Sequence, residues 1–158
     1  MDAEAIKRQA QSENTPPEIL AELATSKDKE IRRCVAGNPN TPVETLEKLG
    51  VDFLDNIVAN PIFDLLLLEN SESKFILLSL AGASTTSVEK STELAEHQDR
   101  DIRVAVAAKY KTPADIRNNI FKGDWQMKES VEKYYKISKE LLCDLSKENS
   151  FMCVLLLL

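Results

Sequence analysis

Apolar residues four positions apart recur along the chain as Ile31/Val35, Leu54/Val58, Ile76/Leu80, Ile102/Val106, Met127/Val131 and Phe151/Leu155. Successive pairs start 23, 22, 26, 25 and 24 residues apart. Two residues at i and i+4 share one helix face, and Cys34, Ile57, Ala105 and Val154 add the i+3 place. The pattern predicts the buried face of a short helix, presented six times. Upstream of each pair lies a second short apolar element, marked by Leu20/Leu23, Leu46/Leu49, Leu65/Leu68, Leu94, Ile116/Ile120 and Leu142/Leu145. Each unit therefore holds two helical elements, A then B. A period of this length is the mark of a solenoid. It leaves no room for two long helices and two turns, so one element per unit is expected to be a single turn or a 3₁₀ segment.

The polar residues between these elements carry start and stop signals. Thr15, Thr41 and Thr112 each precede a proline, and Glu18, Glu44 and Asp115 follow three residues after the threonine. Threonine at the N-cap, proline at the first helical position and an acid in the first turn together predict where element A begins. Asn60-Pro61 takes that part in the third unit, and Thr86 with Glu89 in the fourth. Asp28, Ser73, Asp99 and Asp124 sit three residues before an apolar pair, as caps of element B should. Ile6 and Ala10 resemble a B pair, with Lys7, Arg8, Gln9 and Gln11 free to face water, so residues 1–13 read as a terminal half unit. The expected organisation is one all-α solenoid domain over residues 1–158, with units at 14–37, 38–59, 60–83, 84–109, 110–134 and 135–158.

The stretches "NTPPEILAELATSKDKEIRRCVAGNPNTPVETLEKL" and "DIRVAVAAKYKTPADI" resemble the leucine-rich repeat variant family, whose repeats run N-T-P-x-x-x-L-x-x-L, a charged turn, then V-R-x-x-V-A-x-N-P. The resemblance is clearest over residues 14–60 and 86–120. It implies a right-handed superhelix of α and 3₁₀ elements, related to HEAT-like α-solenoids. Some members bind an iron–sulfur cluster through N-terminal cysteines. This chain has none before Cys34, so that activity is not carried over. The family shares no catalytic residues, so the resemblance supplies a fold more than a function.

Composition agrees with an all-helical chain. Leu, Ala, Glu and Lys dominate, and only four glycines are present. The net charge of −6 disfavours nucleic acid and anionic membranes as main partners. Residues 38–82 hold seven acids and two bases, whereas residues 110–158 hold eight bases and seven acids. The three cysteines fit neither a metal cluster nor a disulfide framework, and the N-terminus lacks a secretory apolar core, so a cytoplasmic setting is expected.

Candidate chemistry is sparse. His97 lies in an A–B turn beside Asp99 and Asp101, with no nucleophile at a recognisable spacing. Cys34 falls at a core-facing place, and Cys153 falls where the first unit has Arg33. Arg32 and Arg103 occupy matching places and are expected to pair with acids of a neighbouring unit. Trp125, Tyr134 and Tyr135 form the nearest approach to an aromatic cluster. The third unit is apolar on more than one face, which makes Leu66, Leu67, Leu77 and Leu78 the candidate interaction patch. Leu156, Leu157 and Leu158 form a candidate self-association edge for a homodimer through the C-terminal end.

These features predict a non-catalytic scaffold that binds a protein or peptide, with no enzyme activity and no cofactor, metal, nucleic acid or membrane. The alternative is a HEAT-like enzyme or enzyme accessory, either like a DNA-repair glycosylase, which would need a basic face, or like a bilin lyase, which would need a pigment cleft.

Overall fold

The computed structural model describes residues 2–131 except 110, 123, 125, 127 and 130. Regular structure among them is α-helical throughout, without strands and without the expected 3₁₀ segments. The helices are α1 (Ala3–Gln11), α2 (Pro17–Leu23), α3 (Lys29–Gly37), α4 (Val43–Val58), α5 (Pro61–Glu69), α6 (Lys74–Gly82), α7 (Val88–Ala95), α8 (Arg100–Ala108) and α9 (Ala114–Phe121). Met127, Phe151/Leu155, Leu142/Leu145, Trp125, Tyr134, Tyr135, Cys153 and the edge Leu156, Leu157 and Leu158 lie outside the described residues.

The helices that carry the recurring pairs pack on one another in chain order, α1 on α3, α3 on α4, α4 on α6 and α6 on α8. Ile31, Val35, Ile102 and Val106 are buried as the spacing requires, and Leu20, Leu46, Leu49, Leu94, Ile116 and Ile120 are buried beneath them. Asp28 and Asp99 cap α3 and α8, each carboxylate accepting the N–H two residues on at 2.8 Å. Ser73 stands at the N-cap of α6 without a side-chain bond.

Two registers differ from expectation. In α4 the A and B elements run together through a kink at Phe53 (φ −136°, ψ 32°). Its buried pair is Phe53/Ile57, one residue earlier than Leu54/Val58. In α5 the error is larger. Leu65 and Leu68, expected in the core, are 65% and 85% exposed, while Phe63 is buried and Ile62, Leu66 and Leu67 pack partly against the core. The cause is the turn. After Asn38 the chain makes a Thr-Pro turn before α4 starts at Val43. After Asn60 it enters α5 at once, with the Asn60 carboxamide oxygen accepting the Ile62 N–H (3.1 Å) and Pro61 in the first turn. Leu65 and Leu68 are thus the fifth and eighth residues of α5, whereas the buried Leu46 and Leu49 are the fourth and seventh of α4, a step of about 100° around the helix.

The threonines also act differently. Pro16, Pro42 and Pro113 occupy the N-caps without a side-chain bond. The buried threonine hydroxyls point back and donate to the end of the preceding helix: Thr15 to the Gln9 carbonyl, Thr41 to Val35 (2.6 Å) and Thr112 to Val106 (2.6 Å). The N–H groups of Thr15 and Thr41 are taken by the Ser12 and Asn38 carbonyls, so no capping box closes with Glu18 or Glu44. In the fourth unit Ser87 is the cap, accepting the Lys90 N–H, and the Thr86 hydroxyl is buried without a partner.

The strongest link between successive turns is an asparagine carboxamide. Buried Asn38 donates to the carbonyls of Ala10 (2.8 Å) and Ser12 (2.9 Å). Buried Asn60 donates to the matching pair, Ala36 and Asn38, both at 2.9 Å. After α8 the matching pair, Ala107 and Lys109, is served locally by Arg117 of α9, both at 3.0 Å. Ala83 occupies the asparagine place after α6 and cannot reach back. There Asp55 of α4 accepts Ser84 N–H (2.6 Å), Ser84 O–H (2.8 Å) and Thr85 N–H (3.2 Å).

Asn60→Ala strands two buried carbonyls and should cost on the order of 2–4 kcal/mol, whereas Thr41→Val removes one hydroxyl donor and should cost about 1 kcal/mol. Urea unfolding of the two variants gives the order. Thr41→Val as the costlier change would mean that the turns are held locally rather than through asparagine.

Candidate functional site

The sequence-predicted patch divides between core and surface. Leu77 is only 6% exposed and belongs to a cluster with Ala81, Leu94, Ile102 and Val106, so it is not a surface residue. Leu78 packs partly against that cluster, and Leu66 and Leu67 partly against the other, which holds Ile31, Val35, Phe53, Phe63 and Ile76. Helix α6 lies between the two clusters: Ile76 enters one, Leu77 and Ala81 the other, and Leu80 packs on both. That position explains why α6 is apolar all round.

The exposed leucines are instead Leu65 and Leu68 of α5, with Asp64, Glu69 and Glu72 exposed around them. Periodicity alone missed this surface. The signal that would have found it is Asn60-Pro61, which sets the start of α5 and hence its outward face.

Elsewhere lies an open groove of about 450 Å³, lined among others by Lys7, Gln11, Glu30, Arg33, Cys34 and Asn56. Its charges are of both signs. Arg33 is paired with Glu30 at 2.6 Å. Cys34 is partly buried and packs against the first cluster, which makes it a half-core residue at the groove wall.

The remaining polar candidates are occupied in building turns. The His97 Nδ1 accepts the Asp99 N–H (3.0 Å), the part that the Ser26 hydroxyl plays for Asp28 (3.1 Å). Among the described residues, Arg32 and Arg103 do not pair with neighbouring acids. Arg32 donates to the Ser26 and Lys27 carbonyls (2.7 and 3.2 Å), and its guanidinium lies 5.8 Å from the Phe53 ring centroid. Arg103 donates to the His97 and Gln98 carbonyls (2.7 and 2.8 Å). The expected ladder between units exists one helical turn away. Lys74 pairs with Asp99 (3.0 Å) and Asp101 (2.6 Å), and Arg100 pairs with Asp124 (2.9 Å). These pairs are solvent-exposed and contribute little to stability. The Asp101 amide and the Lys74 ammonium both hold Asp99 below the usual carboxylate range.

Lys109 is the one buried cation among the described residues. It stands at the asparagine place of its turn and donates to the Ser91 hydroxyl (2.9 Å) and the Thr86 carbonyl (3.3 Å). Ser91 in turn donates to the Ser87 carbonyl (2.8 Å). Burial pushes the Lys109 ammonium below the usual lysine range, against a smaller opposing pull from Asp55.

Among the described residues no three His, Cys, Asp or Glu side chains group as a metal site, and no helix is long and apolar enough to cross a membrane. No known family, curated protein or solved structure matches the chain.

The lowered Lys109 value has a defined sign. The unfolded chain keeps the Lys109 proton to higher pH than the folded chain, so stability rises with pH between the two values. Relative to Lys109→Met, the wild type should therefore gain stability as pH is raised toward the ordinary lysine value of 10.5. Chemical unfolding of both proteins across alkaline pH measures this. A flat difference would mean that the buried ammonium is not penalised.

Proposed function

We propose that the chain is a non-catalytic protein-binding scaffold, a right-handed α-solenoid of leucine-rich repeat variant type. Two observations support the architecture. Helices one sequence period apart pack in chain order, and Asn38 and Asn60 repeat the same pair of bonds to the turn one period earlier. The single observation that carries the function is the exposed pair Leu65 and Leu68 on α5. A solvent-facing leucine pair contributes nothing to the core, and grouped exposed apolar residues are the usual mark of an interaction surface. Enzymatic use of the polar residues has less support, because His97, Arg32 and Arg103 are each engaged in holding an A–B turn.

The test separates surface from core. Leu65→Glu/Leu68→Glu should leave the fold intact, shifting stability by within about 0.5 kcal/mol per site. Leu77→Glu buries an unpaired carboxylate and should cost more than about 3 kcal/mol or prevent folding. Affinity capture from native lysate, read by quantitative mass spectrometry, should yield a partner with wild type that is lost with the folded double variant. An undiminished partner on the double variant would remove α5 as the binding surface.

A further inference from the structure

We infer that the outer face of α5 receives a cationic amphipathic helix of a partner protein. The inference rests on the interaction reading above and adds the chemistry of the partner.

At about 100° per residue, the outward residues of α5 fall in the order Asp64, Leu68, Pro61, Leu65, Glu69 around the helix, a stripe roughly 140° wide. The two leucines, with Pro61 between them, form its centre and a carboxylate stands on each side. Glu72 extends the acidic rim in the turn that follows, and all six residues are exposed. None of the three carboxylates makes a hydrogen bond or ion pair among the described residues. The acids on α5 are therefore unneutralised, in contrast to Asp99, Asp101 and Asp124, which meet Lys74 and Arg100.

This arrangement selects among occupants. An apolar, uncharged ligand would cover the leucines but leave Asp64 and Glu69 partly desolvated and unpaired, which is unfavourable. A second copy joined about a two-fold axis would bring its own Asp64 and Glu69 to the same rim, like charge against like. Anionic bilayers and nucleic acids are repelled. A helix with leucine-type residues on one face and lysine or arginine at its margins satisfies both features, because its apolar stripe covers Leu65 and Leu68 while its cations meet the rim. The surface is small, so the complex belongs to the weak, transient class of interface.

The experiment uses the full chain and a labelled synthetic peptide of about 18 residues, long enough to form a helix on binding, with leucines along one face and lysines elsewhere. Fluorescence anisotropy compares it with a peptide carrying glutamate at every lysine position. The lysine peptide should bind at least about tenfold tighter, and raised salt should narrow the gap. Leu65→Ser/Leu68→Ser should weaken lysine-peptide binding more than about tenfold without moving the unfolding midpoint. Asp64→Asn/Glu69→Gln should weaken it by about three- to tenfold. Glu18→Gln/Glu22→Gln removes the same charge from exposed positions on α2 and should leave it unchanged.

Each contrary result overturns the inference in its own way. Equal binding of both peptides removes the cationic class while leaving α5 a docking face. Unchanged binding by the serine variant moves the site off α5. A lowered unfolding midpoint of the serine variant, with no peptide bound, means that the face is covered within the chain. A concentration-dependent dimer abolished by the serine changes makes the occupant a second copy. The interaction reading itself falls only if the lysate partner also survives Leu65→Glu/Leu68→Glu.

Discussion

A buried carboxamide that reaches back one period to two carbonyl oxygens is the bond on which the architecture depends. Helix ends leave carbonyls without partners, and the common remedy is a glycine in the left-handed conformation. That remedy is not used here: among the described residues no glycine or other residue has positive φ. Helices α1, α3, α6 and α8 instead end on extended residues, Ser12, Asn38, Ala83 and Lys109, with ψ between 123° and 134°. An extended exit leaves the last carbonyls pointing toward the neighbouring turn, and side chains must satisfy them. The threonine hydroxyl takes one, and Asn38, Asn60 or Arg117 takes two more. A buried carbonyl left unpaired would cost about 1–3 kcal/mol. The ends of α1, α3 and α8 are thus completed by residues that follow them in the chain.

The same logic explains where the pattern departs from itself. Ala83 lacks a carboxamide, and the turn around it is held from the opposite side by Asp55. Lys109 has the reach of asparagine and more, so its ammonium passes to Thr86 and Ser91. Ser91 matches the places of Leu20 and Leu46 in the earlier A helices, so a leucine there would remove the hydroxyl that Lys109 needs. The polar substitutions in this unit are coupled through one hydrogen-bonded chain from Lys109 through Ser91 to the Ser87 carbonyl.

Much of this was legible in the sequence, and the rest failed for identifiable reasons. Spacing located Ile31/Val35 and Ile102/Val106, because an i, i+4 pair in a short helix has one buried solution. Asp28, Asp99 and Asn60 were legible as caps, since an acceptor one or two residues before a helix has a local partner. Thr41 was not, because a hydroxyl both donates and accepts, and its choice of the Val35 carbonyl depends on the path of the preceding helix. Asn38 in "NPNTP" looked like punctuation because its partners, Ala10 and Ser12, lie 28 and 26 residues away. Arg32 and Arg103 were correctly matched to each other but assigned to neighbouring acids, since a one-dimensional pattern does not rank a carboxylate against a backbone carbonyl. For the candidate surface, the apolar excess of the third unit was visible, while its division between α5 and α6 required the start of α5.

That start is the point at which construction and surface diverge. Elsewhere the turn after the asparagine spends several residues before the next helix, and the leucines of that helix face inward, as Leu20 and Leu46 do. At Asn60 one side chain performs two tasks, donating to Ala36 and Asn38 and accepting from Ile62. Helix α5 therefore begins without the Thr-Pro turn, and Phe63 fills the place that Thr41 and Thr112 hold in their turns. Phe63, with Ile62, Leu66 and Leu67 in part, supplies the apolar volume of this element to the core, which leaves Leu65 and Leu68 outside it. Their exposure is the geometric consequence of keeping the asparagine link while shortening the turn. Leu46 and Leu49 of α4, which follow the longer turn, are buried. The irregular unit is held in register by Asn60 on one side and Asp55 on the other, so the chain can present an apolar helix face without loosening the stack that carries it.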